Sequence, residues 1–220
     1  MIYRLLIILV ISASWAAAQQ PAVPGAPAPA ASPSPAKPTY EALLERVKKN
    51  DQSVDFQELR LAYTDTKAYG PYGGDAASRK NMFASLKANE YDQALESATT
   101  ILSSNYLDIM AHFGSFVAHR ALGHAELSAY HRFVFEGLLN SIKNSGDGKT
   151  MATAFVVIST DEEYALFNYL GLRPTDQALI KDKGHSYDKM TALDPKTNQS
   201  VVYYFNIDKP FNWLDKSLKK

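Results

Sequence analysis

The chain has 220 residues, no cysteine and a formal net charge of zero. Without cysteine it can form neither a disulfide framework nor a lipidated lipobox. Its charges are interspersed, so the sequence carries neither the basic patch typical of nucleic-acid binding nor the cationic amphipathic helix typical of membrane-surface binding.

Residues 1–18 predict a secretory signal peptide. A single cation, Arg4, precedes an apolar run from Leu5 to Ile11, and small residues up to Ala18 offer a cleavage site. A membrane-spanning helix needs about 20 apolar residues, so a retained anchor is the less favoured alternative. We expect an exported protein, periplasmic or secreted, that is not inserted in a membrane after cleavage.

Residues 19–38 alternate proline and alanine, which disfavours helix and leaves almost nothing to bury. This composition predicts a disordered, extended linker that would span roughly 60 Å at ~3.1 Å per residue. A leader without a role is the alternative. Residues 39–220 are then long enough for a single folded domain, with a helical part over 39–146 and an α+β part over 147–220.

The folded part opens with two short amphipathic helices, predicted over residues 40–49 and 55–63 from apolar side chains at helical spacing. The loop YGPYGG, residues 69–74, then ends the helical pattern because of its proline and glycines. Its tyrosines, Tyr69 and Tyr72, either close over a groove or pack on the body of the protein. We favour packing.

Residues 79–143 predict four amphipathic helices, in which apolar residues such as Phe83 and Phe113 mark the buried faces. Two inter-helix turns, at 88–92 and 122–126, are 34 residues apart, which is the tetratricopeptide period. The Trp, the first Gly and the last Pro of that consensus are missing, so we expect tetratricopeptide-like hairpins rather than a solenoid. Small residues mark the expected close approaches between helices: Ala94, Ala98, Ala111, Gly114, Ala118 and Ala121.

After Gly148 the pattern changes from helix to strand. Residues 154–159 are typical of a buried strand, and the acids that follow would cap a helix that ends before Gly171. Two further strands are predicted over 185–193 and 201–207, and Phe211, Trp213 and Leu214 are expected to plug one end of the core. We therefore predict an α+β fold: tetratricopeptide-like helical hairpins packed beside a small, mainly antiparallel sheet with one helix.

The triplet Gly148–Lys149–Thr150 suggests a phosphate-binding loop, but the pattern fails in two respects. Such a loop requires a further glycine at position 143, where this chain has Lys143. It also follows a strand and opens a helix, whereas the predicted order here is the reverse. We interpret the triplet as part of a Gly–Asp–Gly turn and expect no nucleotide cofactor.

Four histidines lie in two pairs, His112 with His119 and His124 with His131. The members of each pair are seven residues apart, which on a helix separates them by about 10 Å. Neither pair can hold one metal ion, and a site would need histidines from both helices plus an acid such as Glu126. We expect polar groove or surface histidines and no metal site.

An alternative enzymatic set would use His185, Asp188, Glu162 and Glu163. The adjacent glutamates diverge by ~100° on a helix, and helix capping explains them without chemistry. Side chains alternate along a strand, so Ser186 points away from His185, and there is no nucleophile elbow in the sequence. We assign no catalytic residue and lean against an enzyme.

Several segments together resemble a family of exported bacterial proteins described as a domain of unknown function, DUF4919. They are YEALLERVKKNDQSVDFQELRLAYTDTKAYGPYG, GLLNSIKNSGDGKTMATAFVVISTDEEYALFNYLGLRP, GHSYDKM and VVYYFNIDKPFNWL. The resemblance covers nearly all of residues 40–218. It implies one exported domain without an assigned activity and transfers no catalytic residue.

The favoured hypothesis is an uncharacterised exported protein that acts as a non-catalytic interaction module, with an unidentified protein of the cell envelope as its partner. The linker, the predicted hairpins and the lack of a coherent catalytic set support this hypothesis. An envelope hydrolase built on His185, Asp188 and Glu162/Glu163 is one alternative. A binder of small ligands that uses the aromatic residues of the YGPYGG loop is another.

Overall fold

The computed structural model describes residues 37–219. The predicted signal peptide and all but the end of the predicted linker lie outside this range, so both stay predictions. Across residues 37–219, none of the helices combines the length and the apolar character that a membrane crossing requires.

Six α-helices form the first part of the described chain. Asp55, Asp75 and Asp108 begin three of them by accepting hydrogen bonds from backbone N–H groups of the first turn. The helices are α1 Tyr40–Lys48, α2 Phe56–Tyr63, α3 Ala76–Ala88, α4 Tyr91–Ser104, α5 Ile109–Ala121 and α6 Ala125–Lys143.

The predicted helical hairpins are confirmed. Helices α3 and α4 are joined at Asn89, and α5 and α6 at Gly123, and both joining residues have a left-handed backbone with φ of 61° and 78°. Both lie inside the predicted turns. Helix α4 also packs on α5, so the two hairpins form one helical layer.

Small residues let these helices approach closely, as the sequence suggested. Ala94, Ala98, Ala111 and Ala118 are all buried and pack around Met82. A Cβ atom on Gly114 would lie 2.5 Å from the Met82 sulfur, so a larger residue there would force the buried Met82 side chain to move. Ala121 differs from the prediction, because the end of α5 leaves it exposed.

The second part of the fold is a four-stranded sheet with two helices, in the order β1-β4-β3-β2. Strand β1 runs parallel to β4, while β4–β3 and β3–β2 are antiparallel. The sheet is therefore mainly antiparallel, as predicted, and the two-residue β1 makes it mixed. Its elements are β1 Phe155–Val156, α7 Thr160–Leu170, β2 Arg173–Asp182, β3 His185–Asp194, β4 Gln199–Asn206 and α8 Asp208–Leu218.

Three details of this part differ from the sequence prediction. Strand β2 was not predicted, because this edge strand is largely exposed and lacks apolar alternation. The predicted strand over 154–159 shortens to β1, since Ile158 donates its N–H to the Glu162 carboxylate instead of a strand. The segment expected to plug one end of the core forms α8, so this part of the fold has two helices instead of the one predicted. Helix α8 leaves Trp213 and Leu214 exposed, while Phe211 packs on the core.

The main core lies between the sheet and the helices α1, α2, α6 and α7. The Phe167 ring of α7 packs 5.5 Å from the Phe205 ring of β4. Helix α2 meets α6 where Gly137 lies against the Phe56 ring, and a Cβ at this position would overlap the ring. The helical layer and the sheet thus belong to one compact unit.

A buried ion pair between Arg60 and Glu162 joins four elements in this core. Arg60 of α2 donates from Nε and Nη2 to the two carboxylate oxygens of Glu162 in α7, at 2.7 and 2.5 Å. Its remaining contacts are Ser141 of α6 at 3.1 Å and the carbonyl oxygen of Val156 in β1 at 2.9 Å. Because both ions are hydrogen-bonded on several sides, the cost of burying them is offset.

Replacing Arg60 by leucine should lower the free energy of unfolding by roughly 3–5 kcal/mol, because it leaves the Glu162 carboxylate buried without a counter-ion. Urea unfolding followed by circular dichroism measures the change. Arg46→Leu is the matched control, since Arg46 forms its 2.8 Å pair with Asp51 at the surface, and it should change stability little. Equal losses in the two variants would contradict the central role of the buried pair.

Candidate functional site

Two acidic side chains meet inside the protein, although they are 25 positions apart in the chain. Glu163 lies in the first turn of α7 and is fully buried, and Asp188 of β3 is 5% exposed. The two carboxyl groups are close enough that each shifts the pKa of the other. Among the described residues, no N–H or hydroxyl group donates to either oxygen of Glu163. The contact between the two carboxyls therefore needs a proton.

Burial and charge decide which carboxyl keeps that proton. Burial, together with the nearby Asp188 carboxylate, raises the pKa of Glu163 to about 9. Asp188 receives a 2.8 Å hydrogen bond from Gln177 Nε2, although burial raises its pKa as well. We conclude that Glu163 is neutral at pH 7 and donates to Asp188.

The YGPYGG loop packs against the start of α7, close to this pair. Tyr69 is buried and donates its hydroxyl to the Ile158 carbonyl oxygen at 2.6 Å, which fits the expected packing. Tyr72 is 43% exposed, with its ring 6.2 Å from that of Trp213. Burial, and then the charge of Asp188, raise the pKa of Tyr72.

The structure divides the alternative enzymatic set. Glu162 is held by Arg60, as described above, and takes no part in the Glu163–Asp188 contact. His185 lies at the surface with Nδ1 2.6 Å from the Asp208 carboxylate. Only Glu163 and Asp188 meet, and both are buried too deeply for a substrate to reach them in this conformation.

His112 of α5, which is fully buried, pairs with the half-buried His131 of α6. The Nε2 atom of His112 lies 2.8 Å from the Tyr106 carbonyl oxygen, so it carries the proton. Its Nδ1 then accepts from the Nδ1–H of His131 at 3.0 Å. Burial lowers the pKa of His112 to about 3 and that of His131 to about 4, so both rings are neutral at pH 7. Within residues 37–219, no three or more His, Asp or Glu side chains are grouped to hold a metal ion.

The Gly148–Lys149–Thr150 triplet lies in a turn between α6 and β1, as interpreted. Gly148 has a φ of +68°, and a Cβ there would overlap the Phe155 ring. Its carbonyl oxygen accepts a 2.8 Å hydrogen bond from the Tyr204 N–H of β4. The turn therefore fixes the helical layer to the sheet.

An open apolar groove lies between the helical hairpins and α7. Its volume is about 500 Å³, within the usual size range of ligand sites. We call it the aromatic groove. It is lined by Phe83 of α3, Met110 and Phe113 of α5, Phe135 of α6, and Ala165, Asn168 and Tyr169 of α7.

Large aromatic side chains remain accessible in the aromatic groove. Phe83 is 37% and Tyr169 is 52% exposed. Inside the groove, the Phe113 ring packs 5.3 Å from Phe135. At the rim, Lys143 Nζ lies 4.7 Å above the Tyr169 ring.

Sequence reasoning missed the aromatic groove. Helical spacing correctly placed Phe83 and Phe113 on apolar helix faces, but it indicated burial for both. The groove forms from four helices whose lining residues extend from position 83 to position 169, and no local pattern signals such a meeting.

Comparisons with known proteins give one match. A family model described as "Domain of unknown function (DUF4919)" matches residues 34–216. No curated protein and no solved structure matches the chain.

Substituting glutamine for Glu163 should stabilise the protein at neutral pH. Folded Glu163 keeps a proton that the unfolded chain releases above pH 4.5, so this contribution to stability is complete below pH 4.5 and is lost as pH rises towards 9. The glutamine amide can donate to Asp188 at any pH. The variant should match the wild type near pH 4.5 and exceed it by roughly 3 kcal/mol at pH 7.

Urea unfolding of both proteins across this pH range measures the difference. Glu41→Gln, at an exposed position of α1, is the control and should show no such divergence. A constant difference between Glu163→Gln and the wild type at all pH values would show that Glu163 does not carry the proton.

Proposed function

The chain belongs to the DUF4919 family, and from this premise we propose that it is a non-catalytic interaction module of the bacterial cell envelope. The observation that carries the proposal is the aromatic groove, an accessible apolar surface on helical hairpins of tetratricopeptide-like spacing. Export, by means of residues 1–18, and an extended linker over residues 19–38 are part of the same proposal.

The lining of the groove suits a peptide segment of another protein. Aromatic side chains supply much of the binding energy at protein interfaces, because they bury a large area and lose few rotamers. A volume of about 500 Å³ accommodates a few apolar side chains from one face of a helix, which is the usual anchoring pattern of helix-in-groove binding. Asn168 supplies an amide inside the groove that can hydrogen-bond such a segment.

The positive charge of Lys143 at the rim of the groove favours a segment that carries a negative charge. Lys143 lies over Tyr169, at the end of the groove where α6 ends. A carboxylate that flanks the apolar residues of the segment would pair with this cation. We therefore propose an apolar, acid-flanked segment of an envelope protein as the ligand.

The two alternatives have weaker support. For a hydrolase, the Glu163–Asp188 contact provides one proton donor beside one carboxylate, but both side chains are buried. For a small-ligand binder using the YGPYGG loop, Tyr69 is already committed to the Ile158 carbonyl oxygen. The aromatic groove needs no rearrangement, so it is the better site.

A capture experiment tests the groove directly. The chain is immobilised and exposed to cell-envelope extract, alongside a Phe83→Ser/Tyr169→Ser variant that removes the two accessible aromatic rings. The wild type should retain a specific protein that the variant loses, because the exposed anchors of the groove are gone.

Leu127→Ser is the matched control, since Leu127 is an exposed apolar residue of α6 outside the groove. This variant should retain the same protein as the wild type. Circular dichroism checks that all variants are folded. The proposal fails if repeated experiments with the wild type retain no specific protein, or if the groove variant retains the same protein as the wild type.

A further inference from the structure

We propose that His119 and His124 form a surface site for a divalent transition-metal ion of the zinc, copper and nickel class. Their Nδ1 atoms lie 3.2 Å apart, near the surface of the hairpin formed by α5 and α6. The sequence alone indicated no metal site, because it paired the histidines within each helix. The structure instead brings together one histidine of α5 and the residue that precedes α6, so the two ligands come from different elements.

The backbone at the end of α5 sets this distance. Gly123 adopts a left-handed conformation with a φ of +78°. The N–H of His124 donates to the carbonyl oxygen of His119 at 2.9 Å, and the N–H of Gly123 donates to that of Arg120 at 3.2 Å. These two bonds define a Schellman motif, in which the residues at the His119 and His124 positions usually make a hydrophobic contact. Here two imidazoles occupy those positions, so the turn holds the pair in place.

The spacing of the two nitrogens fits one metal ion. Zinc–nitrogen bonds to histidine are about 2.0–2.1 Å long, so two ligands of the same tetrahedral ion are about 3.3 Å apart. At a right angle, as in octahedral coordination, the separation falls to about 2.9 Å. The observed 3.2 Å lies between these values. Imidazole nitrogen is a preferred ligand of zinc, copper and nickel.

The surroundings leave both rings available to a cation. Burial and the neighbouring His124 lower the pKa of His119, which is therefore neutral at pH 7. The ring of His131 stacks on that of His119 at 5.5 Å and 26°, and this limits its rotation. The nearest cation along the chain, Arg120, lies over the Phe116 ring at 5.0 Å. In the free protein one ring donates its Nδ1–H to the Nδ1 atom of the other ring. When a metal ion binds, that proton moves to Nε2 of the same ring, so both Nδ1 atoms offer a lone pair to the ion.

The site supplies two protein nitrogens and leaves the other coordination positions to water. This agrees with the absence, over residues 37–219, of any grouping of three or more His, Asp or Glu ligands. An ion held in this way exchanges with solvent and keeps open positions for an outside donor. The site is therefore of the open kind rather than a closed structural zinc site.

Isothermal titration of the full chain with Zn²⁺ tests the proposal. One ion should bind per chain. Loss of a residue that only hydrogen-bonds a metal ligand typically lowers metal affinity about 10–100-fold. His119→Gln and His124→Gln each remove a ligand itself, so each should weaken Zn²⁺ binding by roughly tenfold or more. His185→Gln is the matched control, since His185 is an exposed histidine on β3, outside this site, and it should bind as the wild type does.

The NMR signals of the histidine rings give a second readout, which Zn²⁺ would not shift if the two histidines had only a structural role. Zn²⁺ should shift the ring signals of His119 and His124 and leave those of His185 unchanged. Circular dichroism confirms that each variant is folded. Absence of Zn²⁺ binding by the wild type, or undiminished binding by the His119→Gln/His124→Gln double variant, overturns the proposal.

Discussion

The Arg60–Glu162 ion pair is the interaction on which the rest of the structure depends. A charged pair inside a core is tolerated only when each ion finds several partners, and here the guanidinium contacts α7, α6 and β1 from its own place on α2. The carboxylate also receives the Ile158 N–H at 2.8 Å. These contacts fix where β1 ends and where α7 begins. The position of α7 in turn directs Glu163 towards β3 and Tyr169 towards the aromatic groove.

Two adjacent glutamates illustrate how position decides chemistry. Glu162 and Glu163 have the same side chain and nearly the same depth of burial, but α7 directs them to different neighbours. Glu162 meets a guanidinium and is half of an ion pair. Glu163 meets the Asp188 carboxyl and has a raised pKa, because burial and then the like charge of Asp188 both disfavour its ionised form. The proton on Glu163 is thus a consequence of the same helix orientation that satisfies Glu162.

The junction between the helical layer and the sheet carries the surface on which the proposed function rests. At one side, α7 and the hairpins leave the aromatic groove uncovered, and its aromatic lining is shared among α3, α5, α6 and α7. Elsewhere on the same body, Tyr72 of the YGPYGG loop lies beside Trp213 of α8. The histidine pair at the Gly123 turn is a separate feature of the hairpin. The aromatic groove and this histidine pair are the two surfaces on which the proposals rest.

Local sequence patterns alone predicted the hairpin turns at Asn89 and Gly123, the close helix approaches at Ala98 and Gly114, and the start of α7. They also carried the resemblance to the family. These features depend on side chains three or four positions apart, which one sequence displays directly. Strand β2 could not be predicted, because an edge strand that is exposed on both faces has no apolar alternation. The tertiary structure alone decided that Arg60 meets Glu162, that Glu163 meets Asp188, and that His119 turns to His124 rather than to His112. Such contacts depend on how distant segments pack and on one tight turn, and neither is encoded in the periodicity of any single element.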